Sequence, residues 1–413
     1  MKRRMRESGL LNQIPVAIGT FIYILCGVAV AFVASKSLSA DNYVNYAAFV
    51  SVSGIFVLGV GAAVEQEASL VYFRSKGNSG ATWRFMIPRI IIAVLILWLI
   101  VLTPIFSWQT RLFGDISTEF QVAVVAGIPG LFFASAARGI ANGRADYRRL
   151  ALAHIIFGLG TIAFPILFWS LGISMLAALV IGQTIAWSSP LLVLLRKSWF
   201  NNPQPTTHSP SSSHLSIWLV VANIALLTNL LSSQLVFRVH TGLLSSTVVA
   251  EAQILITVSC FASTLALGLM PQIIANYRRS SVRKSNKQGM MKIGVLLIAV
   301  ILALGTALFR QIIAMILLPR ESVIPFIDAL LITTPAIFLV LTLLMSGKLI
   351  ADEKVRQAAG SWVLGLLGLW LVPELSDSQT LRSFATALFL GSTVAPVSFL
   401  AVNSWQRRRS DNG

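Results

Sequence analysis

The stretch Leu11 to Val33, LNQIPVAIGTFIYILCGVAVAFV, contains no charged residue. A hydrocarbon core about 30 Å thick needs roughly 20 apolar residues in a helix rising about 1.5 Å per residue, so this one run is long enough to span a membrane. Lys2, Arg3, Arg4 and Arg6 precede it. That order also suits a secretion signal, but the apolar core of a cleavable signal is only about 7–15 residues long. We read the run as a retained first span.

Eleven further runs have the same character. In the first half they are Tyr43 to Val64, Met86 to Phe106, Phe120 to Ala137, Leu150 to Leu171 and Ile173 to Leu195. In the second half they are Ile217 to Phe237, Val248 to Met270, Ile293 to Ile316, Val323 to Met345, Ala358 to Leu371 and Phe384 to Val402. Composition agrees: of 413 residues 56% are hydrophobic and 11% charged, against about 25% charged in a soluble domain, and the mean hydropathy is +0.79. The runs are continuous rather than alternating, which argues against an outer-membrane barrel. The expected fold class is an all-α polytopic membrane protein with twelve transmembrane helices in two six-helix lobes related by a pseudo-two-fold repeat.

Charge orients the spans, because cytoplasmic loops hold the excess of Lys and Arg. With an inside N-terminus, 26 of the 32 basic residues fall on the cytoplasmic side, leaving Lys36, Arg111, Arg238, Arg310, Arg320 and Arg382 outside. The expectation is a multi-pass protein of the plasma or inner membrane with both termini cytoplasmic. The net charge of +17 therefore sits in loops between spans, not on a soluble patch with stacking aromatics, and no nucleic-acid partner is expected.

Residues 201–214 separate the halves. The run Asn201 to Ser213, NNPQPTTHSPSSS, is rich in Pro and Ser and cannot build a core. We expect an N-terminal lobe over 1–200, a cytoplasmic linker over 201–214 and a C-terminal lobe over 215–413. A shift of 205 residues places Leu38 on Leu243, Val44 on Val249, Ala47 on Ala252, Tyr72 on Tyr277, Arg74 on Arg279 and Ser75 on Ser280. An even number of spans per half makes such a repeat parallel, about an axis along the membrane normal.

Enzyme chemistry finds little support. The outer loops are short, no Asp-x-Asp pair occurs, and His154, His208, His214 and His240 are scattered without zinc spacing. Ser346-Gly347-Lys348-Leu349 lacks the upstream Gly and the following Ser or Thr of a phosphate loop. Cys26 and Cys260 lie inside apolar runs, where a small buried hydrophobe is the usual meaning. Neither a cofactor nor a metal nor a catalytic residue is expected.

Polar groups inside spans are costly and therefore functional candidates. On span seven, Asn223, Gln234 and Arg238 fall within about 60° of one another around a helix. They either wall a hydrated substrate path, with Arg238 at its outer mouth, or bond neighbouring helices while Arg238 reaches to the interface. Glu251, near the start of span eight, joins this set as a partner for Arg238, a proton carrier, or a dipole-stabilised acid in a first turn. Asp328 is the coupling candidate, with Arg310 or Arg320 as partner. Arg89, in the first turn expected for span three, is placed to reach headgroups.

Glu65 and Glu67 close span two. Paired carboxylates either share a proton or cation or neutralise Arg74, Arg84 or the following basic loop. That loop, Ala137 to Arg149, holds Arg138, Arg144, Arg148 and Arg149 between glycines. Arginine forks suit phosphate, and a positive-inside anchor with a Gly turn explains the same residues. Glu65, Glu67, Arg74 and these four arginines are the cytoplasmic head-group or gate candidates.

Leu58-Gly59-Val60-Gly61 through Glu65-Gln66-Glu67 and Tyr72-Phe73-Arg74, with the run Arg138 to Arg149 and the six-plus-six layout, make the chain resemble the multidrug/oligosaccharidyl-lipid/polysaccharide exporter (MOP) superfamily, on its polysaccharide (Wzx-type) flippase branch. The resemblance implies two lobes around a cavity lined chiefly by spans one, two, seven and eight, and alternating access. It implies a polyprenyl-pyrophosphate-linked glycan as cargo for cell-surface polysaccharide biosynthesis, with membrane lipids and a glycan polymerase or other surface-polysaccharide machinery as partners. The rival within the superfamily is an ion-coupled multidrug exporter. A major facilitator is disfavoured because loop 2–3 reads Phe73-Arg74-Ser75-Lys76-Gly77-Asn78-Ser79-Gly80, and a polymerase by the missing large outer loop.

Overall fold

In a computed structural model of the chain, the described residues are 14–54, 59–75, 77–102, 118–195, 234–236, 238, 239, 241–267, 270, 274, 286–318, 321–352, 354–376 and 379–411. Among them there is no strand. The helices of the first half are α1 Ile14–Ser37, α2 Ala40–Gly54, α3 Gly61–Arg74, α4 Ser79–Leu102, α5 Thr118–Gly143, α6 Tyr147–Ser170, α7 Met175–Ala186 and α8 Leu191–Leu194. Those of the second are α9 Ser246–Ser259, α10 Phe261–Leu267, α11 Asn286–Leu308, α12 Arg310–Leu317, α13 Phe326–Thr333, α14 Pro335–Ala351, α15 Val355–Leu375 and α16 Leu381–Asp411.

Among the described residues, eight helical stretches are long and apolar enough to cross a membrane, and two bent pairs, α9 with α10 and α11 with α12, bring the number to ten. The second expected span appears as α2 and α3. Span seven lies mostly outside the described residues, as do Asn223 and the linker. Exposed side chains confirm the environment: Ile293, Leu297, Ile301, Leu304 and Leu308 form an exposed apolar stripe along α11, a face that water would penalise and lipid does not. The chain is an all-α polytopic membrane protein.

Two boundaries depart from the sequence reading for physical reasons. Span four does not stop at Ala137 but runs to Gly143, because Gly139 and Gly143 let α5 press against α3. A Cβ on Gly139 would strike the Glu65 backbone carbonyl, and one on Gly143 would lie 2.5 Å from Tyr72 Cδ1. Small residues one turn apart permit such close approach. The turn expected at these glycines falls instead at Ala145, whose φ is +58°. There the Asp146 N–H bonds Ala141 O and the Ala145 N–H bonds Asn142 O, both at 2.9 Å, the pattern of a Schellman C-cap. Span nine, expected to be continuous from Ile293 to Ile316, bends by 75° between Ile293–Leu308 and Arg310–Leu317.

The chain forms two compact units. The first holds the described residues of 1–31, 60–106 and 117–216. In it α3 packs on α4 and α5, and α6 packs on α7, around fully buried Phe132, Met86, Ile128, Leu131 and Ile140. The second holds those of 32–59 and 217–413. Its core joins Val44, Ala47 and Ala48 of α2 to Val249, Ala252, Leu255 and Ile256 of α9. Two pairs aligned by the 205-residue shift, Val44 with Val249 and Ala47 with Ala252, thus belong to one cluster. The same shift carries Gly54, the end of α2, onto Ser259, the end of α9. Both helices also open on a serine cap: Ser39 Oγ accepts from the Asn42 N–H and Ser245 Oγ from the Val248 N–H, each at 3.4 Å.

Candidate functional site

In the first unit, α3 presents its two acids to different neighbours. Glu65 Oε2 accepts from Arg138 Nε of α5 at 2.9 Å, and Arg138 Nη2 also donates to Ser135 Oγ at 3.0 Å. Glu67 lies 3.5 Å from Arg89 Nε of α4. Arg89 also donates to Phe85 O at 3.2 Å and stacks over the Phe85 ring at 3.5 Å. It sits in the third turn of α4, not the first, because that helix begins at Ser79. Near this cluster the Tyr23 ring stacks on Phe157 with centroids 4.8 Å apart and lies 6.5 Å from His154. Asn142 Oδ1 and Thr20 Oγ1 are buried without a hydrogen-bond partner.

The remaining basic candidates sit around the end of α5. Arg138 is buried inside the helix, whereas Arg144 is exposed and donates to Ser79 Oγ at 3.2 Å. Arg148 is exposed in the first turn of α6, and Arg149 pairs with Asp146 at 3.4 Å. Arg74 closes α3. The seven cytoplasmic candidates thus divide into a paired set within the helices, Glu65, Glu67 and Arg138, and a set at helix ends.

In the second unit, Arg238 is 4% exposed and its Nη2 donates to Glu374 Oε1 at 3.2 Å and to Pro373 O at 3.4 Å. Its guanidinium carbon lies 5.0 Å from the Phe384 ring centroid. One turn away, Gln234 is fully buried and neither its amide oxygen nor its nitrogen has a partner. Interhelical bonding therefore does not account for Gln234. An unsatisfied buried amide costs about 1–3 kcal/mol.

Glu251 does not pair with Arg238. Its carboxylate accepts from the Val323 N–H at 2.9 Å, from the Ile324 N–H at 3.4 Å and from Ser322 Oγ. Asp328 bonds Arg382 of α16 rather than Arg310 or Arg320, and Arg310 instead donates to Ile324 O at 2.9 Å. Glu374, Arg382, Ser322 and Ser135 were missed by sequence reasoning. Each lies far along the chain or is an ordinary residue in a helix turn, so spacing gave no signal. Among the described residues no group of three or more His, Cys, Asp or Glu could hold a metal.

Membrane-length helices, small-residue helix contacts and buried ion pairs between spans define a multi-pass α-helical membrane protein. The fold is that of the MATE transporters of the MOP superfamily. An outward-facing multidrug resistance MATE family transporter of that superfamily is 18% identical, with a TM-score of 0.61, covering 96% of this chain and 94% of its own. A MATE in complex with MaL6 is 17% identical with a TM-score of 0.67 at the same coverage. The MATE multidrug transporter DinF-BH in complex with R6G is 16% identical with a TM-score of 0.69, again covering 96% and 94%. No protein-family model matches the sequence, and no curated protein does.

Proposed function

We propose that this chain is an ion-coupled exporter that moves amphipathic organic solutes out of the cell by alternating access. The observation that carries this is the full-length likeness to multidrug transporters, 94% of whose chains it covers. In this reading Gln234 and Arg238 wall the solute path, and the unsatisfied Gln234 amide supplies hydrogen bonds that a solute completes. Its location is the plasma or inner membrane, with both termini inside, as the asymmetry of basic residues supports.

A second reading, a flippase for a polyprenyl-pyrophosphate-linked oligosaccharide, is favoured by one specific observation. The buried acids Glu65, Glu67 and Asp328 each face an arginine, and Glu251 is held by backbone and hydroxyl donors. An organic cation would therefore have to displace an internal partner, whereas a glycan head would not.

One experiment separates the two. Purified protein in liposomes is tested for gradient-driven movement of a cationic dye, and depleted cells are scored for sidedness of their lipid-linked glycans with an impermeant probe. Dye movement with an unchanged lipid pool is the expected result. No dye movement, with a prenyl-pyrophosphate glycan accumulating on the cytoplasmic leaflet, would replace the exporter with the flippase.

A further inference from the structure

Span nine is broken at Phe309, and the piece beyond the break is not needed to cross the membrane. α11 has 23 residues, about 34 Å of helix at about 1.5 Å per residue, against a hydrocarbon core of about 30 Å. α12, Arg310–Leu317, leaves it at 75°. Over its 8 residues α12 therefore advances only about 3 Å along the axis of α11, where a straight continuation would advance about 12 Å.

The sides of α12 face different surroundings. Ile313 packs on the core of the second unit, and Ala314 beside it is buried. Arg310 Nε donates to Ile324 O at 2.9 Å, and its guanidinium carbon lies 5.6 Å from the Phe326 ring centroid. The Leu317 carbonyl accepts from Ser35 Oγ of α1 at 2.6 Å. Around the helix, Arg310, Ile313, Ala314 and Leu317 share a sector about 100° wide, so the side that packs on protein also holds the arginine. The opposite side carries Ile312, Met315 and Ile316, each about half exposed, with Gln311 exposed at its edge. That exposed side bears no charge.

We propose that α12 lies in the plane of the membrane as a foot seated in the lipid leaflet that α11 reaches at Leu308, with Ile312 and Ile316 among the acyl chains and Gln311 at the level of the headgroups. Lipid is the occupant because the exposed side continues a surface that lipid already covers: the stripe Ile301, Leu304 and Leu308 of α11 leads through exposed Phe309 onto Ile312. A helix near the membrane plane with one apolar side is suited to the boundary between headgroups and chains. The contact is with acyl chains and not with anionic headgroups, since the one cation of α12 is engaged by Ile324 O and the Phe326 ring. With the N-terminus inside, the leaflet is the outer one. Through Ser35 and Ile324 the foot is bonded to the end of α1 and to the residues leading into α13, so lipid holds that corner of the second unit in place. The proposal does not depend on what the protein moves.

The test is nitroxide depth in the full-length protein in phosphatidylcholine nanodiscs, read as access of oxygen, which concentrates among acyl chains, against access of a water-soluble nickel chelate. Labels are attached at Gln311→Cys, Ile312→Cys and Ile316→Cys, with Leu297→Cys, Ile301→Cys and Leu304→Cys on α11 to calibrate depth. Cys26 and Cys260 are buried, and the parent without a substitution serves as the labelling control. The expected result is a depth that changes steadily along α11, then Ile312 and Ile316 both deeper than Gln311, following the turn of the helix. A straight continuation would instead place residue 316 about 7.5 Å further out than residue 311, and that steady outward order would overturn the proposal. Should one label prevent folding, Met315→Cys, also at an exposed position, takes its place and should read between Gln311 and Ile312. Labels reached by the chelate alone would lift α12 out of the membrane, and labels shielded from both reagents would mean that a protein surface covers the face; either overturns the lipid assignment. Adding phosphatidylglycerol should leave the depths unchanged, and a shift with anionic lipid would overturn the acyl-chain contact.

Discussion

Arg138 of α5 and Glu65 of α3 form a buried ion pair, Nε to Oε2 at 2.9 Å, with side chains only 7% and 12% exposed. The pair lies where Gly139 brings the two helices into backbone contact, so the charges are fixed in register by the packing beside them. Removing one charge from such a pair strands the other in a poorly hydrated place, at about 3–5 kcal/mol. Glu65→Gln is therefore expected to lower the melting temperature of the purified protein strongly. The double variant Glu65→Leu with Arg138→Met should recover most of the loss, because neither charge then remains buried. A double variant no better than the single one would show that the pair does more than balance charge.

The turn after α5 gives a second prediction of opposite sign. Ala145 holds a φ of +58°, a left-handed conformation that costs a residue with a Cβ roughly 1 kcal/mol. Ala145→Gly should stabilise the protein by about 0.5–1 kcal/mol. Gly143→Ala, two residues earlier, should destabilise it, since its Cβ would meet the Tyr72 ring. Thermal unfolding of both variants checks the pair, and a shift in the same direction for both would refute the assignment of the turn.

These residues show what the sequence could and could not convey. The run of arginines and glycines from Arg138 to Arg149 was legible as basic, but four arginines in one short run gave no sign that the first lies inside a helix against Glu65. Which residue turns the chain depends on which glycines the neighbouring helix occupies, a tertiary fact. Spans and repeat were legible because apolar length and register are local: the 205-residue shift predicted from single residues returns as coincident ends of α2 and α9. Ion-pair partners were not, since Asp328 and Arg382 are separated by 54 positions and nearer arginines fitted equally well. The break in span nine escaped because the apolar run resumes with Ile312 and Ile313 directly after Arg310 and Gln311, so its total length still fitted one span.

Gln234 offers a test of stability against function. It is fully buried with its amide unpaired, so an apolar residue of similar size removes a desolvation cost of about 1–3 kcal/mol. Gln234→Leu is expected to raise the melting temperature while lowering solute transport, the exchange seen where a site holds unsatisfied groups for a ligand. A variant that is more stable and transports normally would remove Gln234 from the path.

The pair Asp328 and Arg382 is unequal, because the aspartate side chain is 5% exposed and the arginine 52%. Deleting the two partners should therefore have unequal effects. Asp328→Asn leaves behind a guanidinium that water already reaches, and the loss should stay near the value of a surface pair, about 0–1 kcal/mol. Arg382→Ala leaves a carboxylate in the first turn of α13, mostly out of water, with only the helix dipole to favour its charge. The dipole returns about 0.3–1 kcal/mol, less than the several kcal/mol that an uncompensated buried charge costs. Melting curves of the two variants at neutral pH should show Arg382→Ala clearly the less stable. Equal losses at neutral pH would mean that the pair acts through packing of the arginine stem and not through its charge.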